Sequence, residues 1–343
     1  NPISTYPYPD FKPERTKSYE VGINARFLNG RISFDGTFYQ SNTYNQTFLS
    51  VMSPATGYSG FYVQAGNVRN RGMEMTLGFN DTFGKVNYST HLTYTANQNK
   101  IVEMVHDYRN PIDNSLVNIT ELTLKEAGDV YLREGYSMSD VFTTGILQRG
   151  RDGKLVEEGN GYQVDRSQRI RLGSADPDFT MGWSNTLTYK NLELYFLIDF
   201  RFGGEVMSLT QSELDANGVT KVTEDARTRG YVEYQGQKFN DPRAFYSAVG
   251  GRNAISEYYM YDATCIRLRE VSLSYSFPKT ILENSRFIKG IDVSLAARNL
   301  CFLKKEAPFD PDAVMSVGNN NQGVDVFGMP TTRNIGFNLR LTF

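Results

Sequence analysis

The chain has 343 residues, with 36 Lys and Arg against 38 Asp and Glu; the formal charge of -2 provides no basic field for a nucleic acid. A mean hydropathy of -0.44 leaves no apolar run of about 18 residues, which excludes a membrane-spanning helix. Two cysteines cannot build a disulfide framework, whereas 22 Tyr, 22 Phe and 30 Gly suit a β-rich chain: a soluble sandwich, or a membrane barrel that hides its apolar content by alternation.

Period-two alternation predicts about eleven strands, near 15–28, 31–46, 63–80, 84–98, 129–136, 141–148, 179–190, 191–203, 264–277, 288–302 and 332–343. In the first, Tyr19, Val21, Ile23, Ala25 and Phe27 alternate with Ser18, Glu20, Gly22, Asn24 and Arg26. In the fourth, Val86, Tyr88, Leu92 and Tyr94 oppose Asn87, Ser89, His91 and Thr93. Leu192, Leu194, Phe196, Ile198, Phe200 and Phe202 share one face of the eighth. Ile291, Val293, Leu295 and Ala297 repeat the pattern in the tenth, and Ile335, Phe337, Leu339, Leu341 and Phe343 do so in the last. Many of these runs exceed the roughly 5–6 residues usual in globular strands and match the roughly 9–11 needed to cross a bilayer.

The links between them alternate in length. Leu28-Asn29-Gly30, Asp81–Gly84 and Lys190-Asn191 are short, while 47–62, 99–128, 149–178, 204–263 and 303–331 are long. Outer-membrane barrels have short periplasmic turns and long external loops. If the last strand runs inward, eleven strands make the first run inward too, so an odd number of strands is expected upstream of Asn1. An open sheet in lipid would leave two strand edges unpaired, and the remaining part of the barrel, on the same polypeptide or a companion chain, is expected to pair them.

Facing follows from the alternation. The apolar rows are expected to meet lipid, and Glu20, Arg26, Glu74, Asp199, Arg201, Asn338 and Arg340 are expected to line a polar lumen. In the longest loop Tyr231, Tyr234, Tyr246, Tyr258, Tyr259 and Tyr261 are the substrate-binding candidates, since flat rings with hydroxyls suit sugars; packing among loops is the alternative. His91 and His106 have no Cys or carboxylate at ligand spacing, so no metal site or cofactor is expected. No nucleophile elbow and no H-E-x-x-H are present, so no catalytic residue is assigned. Cys265 and Cys301 fall nearly opposite each other if a hairpin turns near 278–289, unless the break in alternation at Arg269-Glu270 shifts the register.

An ordered set of motifs adds a family. Asn1-Pro2, Phe11-Lys12-Pro13-Glu14-Arg15-Thr16 and Tyr19-Glu20-Val21-Gly22 are followed by Asn29-Gly30-Arg31-Ile32, then Gly66-Asn67-Val68-Arg69-Asn70-Arg71-Gly72-Met73-Glu74. Gly173-Ser174 with Pro177-Asp178-Phe179, the run from Arg267 to Pro278, Arg298-Asn299-Leu300, Phe309-Asp310-Pro311-Asp312 and Pro330-Thr331-Thr332-Arg333 complete it. The set resembles the C-terminal half of the barrel of SusC-like (RagA-like) TonB-dependent outer-membrane transporters, and Phe343 resembles the C-terminal aromatic assembly signal of such barrels. The resemblance implies an all-β, antiparallel transmembrane barrel of 22 strands, of which residues 1–343 would supply the last eleven. It also implies an N-terminal plug and first barrel half upstream, coupling to TonB-ExbB-ExbD, and a SusD-like surface lipoprotein. The acidic run many relatives carry is reduced here to Asp152-Gly153-Lys154 through Asp165-Arg166, and calcium binding is not carried over.

The expected function is energy-coupled import of a large polar nutrient, an oligosaccharide first and a peptide second, at the outer membrane of a Gram-negative cell. A passive porin or structural barrel is the alternative of another class, and a soluble carbohydrate-binding β-protein or enzyme is a third.

Overall fold

When apolar and polar side chains alternate over nine residues or more, a strand is the conformation that sorts them onto two faces. The computed structural model describes residues 5–6, 11–51, 55, 57–109, 115–123, 131–158, 161–252, 254–283, 285, 287–315 and 323–343; the Asn1-Pro2 motif lies outside them. Among the described residues nine long strands form: β1 (Arg15–Phe27), β2 (Ile32–Val51), β3 (Gly60–Phe83), β4 (Val86–Glu103), β5 (Phe179–Tyr189), β6 (Leu192–Phe202), β7 (Cys265–Ser276), β8 (Gly290–Lys305) and β9 (Asn334–Thr342). Each pairs antiparallel with its neighbour in the chain, giving one continuous meander with β1 and β9 at its edges. Thr5–Tyr6 adds a short parallel pairing to Gly60-Phe61. Among the described residues no helix is long and apolar enough to cross a membrane.

Register carries the alternation across the whole sheet. One row runs Ala25, Phe34, Leu77, Leu92, Trp183, Ile198 and Leu268, and the adjacent row runs Asn24, Asp35, Thr76, Thr93, Gly182, Asp199 and Arg267. The sheet therefore has one apolar and one polar face. On the apolar face Ile335, Phe337 and Leu339 remain largely exposed.

Connections 28–31, 84–85, 190–191 and 277–289 lie at one end of the sheet, and 52–59, 104–178, 203–264 and 306–333 at the other. The tight end uses left-handed backbone: Gly84 stands at φ 63°, where a side chain would be strained.

Two expected strands lie elsewhere. Residues 129–130 fall outside the described residues, and Tyr131–Arg133 pairs with Glu121–Thr123. Asp140–Phe142 pairs with Arg171–Ser174, and Ile146–Leu147 with Val164–Asp165. These ladders of two to four residues all belong to the 104–178 connection and are too short to cross a bilayer. Leu132 is instead buried against Val68 and Ile101 at the upper ends of β3 and β4, and Phe142 packs between Tyr131 and Tyr136. Nine strands, like eleven, make the first and last run in the same direction, so the assignment of 28–31 to the tight end is unchanged.

The 204–263 stretch, expected as an unstructured loop, is folded. Glu205–Ser208 pairs with Met260–Asp262 and with Val324-Asp325. Helices α1 (Leu209–Ala216), α2 (Lys221–Arg229) and α3 (Pro242–Val249) follow, with a hairpin of Val232–Tyr234 and Gln237–Phe239 before α3. Each helix starts on a side-chain cap: Ser208 Oγ accepts from the Gln211 N–H at 3.0 Å, Thr220 Oγ1 from that of Thr223 at 3.3 Å, and Asp241 Oδ1 from that of Ala244 at 3.0 Å. Pro242 then opens α3, where its missing N–H costs nothing.

Candidate functional site

All seven charged or amide residues expected on the polar face fall there by register. Glu20 lies opposite Tyr39, Arg26 opposite Ser33, and Glu74 between Thr37 and Thr95. Arg340 faces Asp292 across β8 and β9, and Asn338 Nδ2 donates to Ser294 Oγ at 3.3 Å. Asp199 and Arg201 belong to a network nearer the loop end.

That network starts from an irregularity in the sheet. Leu197 pairs with Glu270 but Ile198 with Leu268, so Arg269 is an extra residue in β7. The bulge lets both Arg267 and Arg269 reach Asp199: Arg267 Nη2 lies 3.1 Å, and Arg269 Nη2 2.7 Å, from Asp199 Oδ2. Arg267 Nη2 also lies 2.5 Å from Asp312 Oδ2, and Arg201 Nη1 lies 3.8 Å from Asp312 Oδ1. Arg267 is 2% exposed and Asp310 6%, so this is a desolvated charge cluster that ties the 306–333 connection to β6 and β7. Burial pushes the Asp310 carboxyl up, but the Thr331 hydroxyl and N–H, the Asp312 N–H and the Arg267 guanidinium outweigh it and hold the group below its ordinary range. Arg269 Nη1 donates to Asn299 Oδ1 at 3.1 Å, and Asn299, at φ 52°, donates from Nδ2 to the Thr332 carbonyl at 3.1 Å. The sequence motifs around Arg267 and Asp310 thus meet in space, although neither stands out as a site by spacing. The signal is joint: two arginines two apart on a broken strand, and two aspartates flanking a proline.

A second polar assembly spans β2 to β4. Tyr39 crosses over Gly72, and its hydroxyl donates to Asn97 Oδ1 at 3.1 Å. A Cβ built on Gly72 would stand 2.6 Å from the Tyr39 hydroxyl and 2.3 Å from the Ala96 carbonyl, so only glycine admits the crossing. Asn99 Nδ2 donates to Asn70 Oδ1 at 2.9 Å, and Asn99 Oδ1 accepts from the Met138 N–H at 2.8 Å and the Ser137 hydroxyl at 3.2 Å. Ser139 donates in turn to Asp176. Beside these groups a cavity of about 990 Å³ opens between upper β4 and the segment before β5, with Tyr39, Asn97, Tyr136, Arg171, Asp176 and Asp178 in its wall. Arg171 Nε lies 2.9 Å from Asp140 Oδ2. Alternating amides and hydroxyls, with the Arg171–Asp140 ion pair and the Asp176 and Asp178 carboxylates, supply donors and acceptors to a large polar ligand, and among the described residues of the wall no nucleophile–base pair is formed.

The loop aromatics divide. Tyr259 is wholly buried and Tyr246 nearly so, which removes both from the ligand-contact candidates: they pack with Phe245 and Val249 in the core of the 203–264 segment. Tyr258 stacks edge-on against Phe245 at 5.4 Å and Tyr234 at 5.1 Å. Burial pushes the Tyr234 and Tyr261 hydroxyls up to about 12, and those of Tyr258 and Tyr259 up as well, so all four stay protonated. Tyr261 packs on Phe309 at 5.4 Å. Tyr231 is half-buried under the Lys238 ammonium, 3.9 Å from the ring centroid.

His91 and His106 stand apart, His91 opposite Ser184 in the sheet and His106 Nε2 2.8 Å from Glu134 Oε2 in a loop. Among the described residues no group of three His, Cys, Asp or Glu side chains converges as a metal site. Cys265 and Cys301 are free thiols: Cys265 pairs with Lys305 and Cys301 with Leu268, because the register of the β7–β8 pair is offset from the start and two irregularities, between Ile266 and Arg267 and between Leu268 and Glu270, carry the two cysteines further apart. Phe343 is exposed just past β9.

Comparison with known proteins places this geometry. The family described as TonB dependent receptor-like, beta-barrel matches residues 1–300. The TonB-dependent receptor P26 of Formosa agariphila is 27% identical over 356 residues, taking in 98% of this chain and 35% of that protein. The TonB-dependent receptor SusC of Bacteroides thetaiotaomicron is 24% identical over 338 residues, 91% of this chain and 31% of that protein. The chain thus spans about a third of the length of the relatives it matches. Among solved structures, the RagAB peptide importer in its closed-closed state shares the fold at a TM-score of 0.69 and 16% identity, over 96% of this chain and 35% of that one.

Proposed function

The chain belongs to the TonB dependent receptor-like β-barrel family, and we propose that it supplies wall and outer loops to a SusC-like, energy-coupled importer of a large polar nutrient in the outer membrane. The observation that carries this reading is the two-faced meander with its long connections gathered at one end. The apolar face meets lipid, and the polar face, with Glu20, Arg26, Glu74, Asp199, Arg201, Asn338 and Arg340, lines the lumen. The edges of β1 and β9 carry unpaired backbone groups that lipid does not tolerate, so further strands pair them in the assembled barrel. A plug domain, coupling to TonB-ExbB-ExbD and a SusD-like lipoprotein over the loop end complete the machine. No step of covalent chemistry is assigned to this chain.

The ligand class favoured by the site is an oligosaccharide. The lattice of Tyr39, Asn70, Asn97 and Asn99 offers neutral donors and acceptors beside a cavity of about 990 Å³, a match to hydroxyl-rich rings. A peptide is the second reading, favoured by Arg171 and Asp178 in the same wall, which match peptide termini. The test is uptake by cells carrying the full-length protein, supplied with labelled oligosaccharides or labelled peptides. Asn97→Leu is expected to weaken uptake of the oligosaccharide while barrel assembly is unchanged. Uptake that survives removal of TonB sinks the importer reading, and transport of peptides alone replaces the ligand class.

A further inference from the structure

The apolar face of the sheet does not stay apolar up to the loops. Above Phe38 on β2 and Met73 on β3, the outward register rows become basic. One row reads Tyr19, Gln40, Arg71 and Gln98 across β1 to β4; the next reads Lys17, Asn42, Arg69 and Lys100; Arg15 and Tyr44 pair in the row above. Five cations thus share a patch four strands wide, roughly 14 Å at the ordinary strand spacing. Arg15, Lys17, Arg71 and Lys100 are exposed and Arg69 is half-buried; Arg71 and Lys100 also border the cavity beside Tyr39 and Asn97. The Arg15 row continues through Asn67 to Glu103, so one carboxylate closes the patch at its upper edge on β4.

Two features separate this patch from an ordinary solvated surface. Arg69 and Lys100 are direct cross-strand partners, a like-charge pairing that destabilises a sheet unless an anion bridges it. Among the described residues none of the five forms an ion pair: Arg71 Nε donates to the neutral Gln98 Oε1 at 2.8 Å, and the Lys17 ammonium lies 5.7 Å from the Tyr44 ring centroid. The patch also continues upward from the apolar rows, and aromatic stacking borders those rows on the neighbouring strands. Tyr94 stacks on Phe179 at 5.3 Å and Phe179 on Phe202 at 4.8 Å, as in an interfacial girdle.

We infer that Lys17, Arg69, Arg71 and Lys100 form an exterior seat for the phosphate headgroup of an acylated outer-leaflet glycolipid, whose chains lie on the apolar rows below. The seat rests on the reading that this face meets lipid. A lipid headgroup, unlike a soluble anion, brings its negative charge to a fixed height just above an apolar surface, which is where these cations stand. Closely spaced guanidinium and ammonium groups hold a phosphate better than a single one does.

The experiment uses full-length protein purified from outer membranes, delipidated and returned to vesicles containing a phosphorylated, acylated glycolipid or its dephosphorylated form. Bound glycolipid per barrel is read by mass spectrometry. Wild-type protein is expected to retain the phosphorylated form over the dephosphorylated one. Lys100→Gln should weaken retention roughly fivefold, and the triple variant K17Q/R69Q/K100Q roughly a hundredfold. Arg26→Gln, on the opposite face, should leave it unchanged. Equal retention by wild type and Lys100→Gln overturns the seat, as does displacement by millimolar inorganic phosphate alone or loss of a bound protein partner in place of lipid. Heat-modifiable migration on unboiled gels is recorded in parallel. A wild-type protein that never forms a membrane barrel defeats the facing assignment itself, whereas an assembled barrel that is indifferent to these substitutions defeats only the seat.

Discussion

Phe245, Val249 and Tyr259 in the 203–264 connection expose nothing, whereas Leu77 on β3 and Leu273 on β7, with paired strands on both sides, expose 48% and 45% of their surface. The connection is organised as a water-soluble domain is, with capped helices and a hairpin closed around aromatic rings. In the proposed barrel the sheet is organised the other way, with its apolar set turned to lipid and its polar set to the lumen. One chain thus follows two burial rules, and the solvent differs between the regions: water surrounds the first, hydrocarbon the second. A burial pattern read without regard to solvent would take the sheet for a misfolded protein.

The comparison is broken most severely at the loop core. Phe245→Ala should cost the 203–264 segment about 3–5 kcal/mol, because the ring contacts Phe239, Tyr246 and Tyr258 and little can collapse into its place. Limited proteolysis should cut between residues 209 and 249 while heat-modifiable barrel is retained. Coupled loss of the barrel would show that the two regions are one cooperative unit.

Facing is tested on β9. Leu339 pairs with Val293 and Arg340 with Asp292, on opposite sides of the sheet. Leu339→Arg places a charge in hydrocarbon and should destabilise the barrel by about 2–4 kcal/mol. Arg340→Leu should leave assembly near wild type and act on uptake instead. Equal assembly of the two variants, or the reverse order on unboiled gels, inverts the assignment of faces.

The smaller effects sharpen the comparison at the polar face and the loops. Tyr39→Phe removes one solvent-exposed hydrogen bond, and only about 0.5 kcal/mol of stability should go with it. Chemical denaturation of the purified barrel measures the difference, and a null result would make the Gly72 crossing a matter of ring packing alone. In the 104–135 region the Glu134 carboxylate, hydrogen-bonded to the His106 ring, raises the affinity of His106 for its proton. A raised histidine contributes stability that is complete below about pH 6.5 and lost as pH rises through the folded value. Hydrogen exchange around Met104, whose N–H donates to Glu134 at 3.1 Å, should accelerate beyond its intrinsic rate over that rise, and His106→Gln should abolish the step.

Much of the wall was readable from alternation, because a strand between lipid and water must keep its period over its whole crossing. The two misplaced strands show where that reasoning stops. Residues 131–133 and 140–142 alternate as well, but alternation does not say whether a short ladder crosses a bilayer or packs in a loop, and here Leu132 packs against the upper ends of β3 and β4 and Phe142 between Tyr131 and Tyr136. The helices of 203–264 were legible in principle, since Ser208, Thr220 and Asp241-Pro242 are ordinary helix starts. Spacing alone does not select them, because a long external loop accounts for the same stretch. The charge cluster was hidden for a different reason: Arg267 and Asp312 are 45 residues apart, and a bulge at Arg269 decides which side chains meet. Among the expected ligand aromatics, the sequence showed the rings but not that Tyr246 and Tyr259 hold the segment together.

The pairing of Arg201 with Cys265 brings the entry and exit of the 203–264 segment within one strand spacing of each other. An insert whose two ends meet at neighbouring points imposes no demand on the frame that carries it. The wall then acts as a socket, and the folded insert shares its interior with Leu147 and Leu155 of the 104–178 connection beside it. A change in what such a protein captures then has to remodel the neighbouring connections together, as one shared cap, while the ring and its register stay untouched.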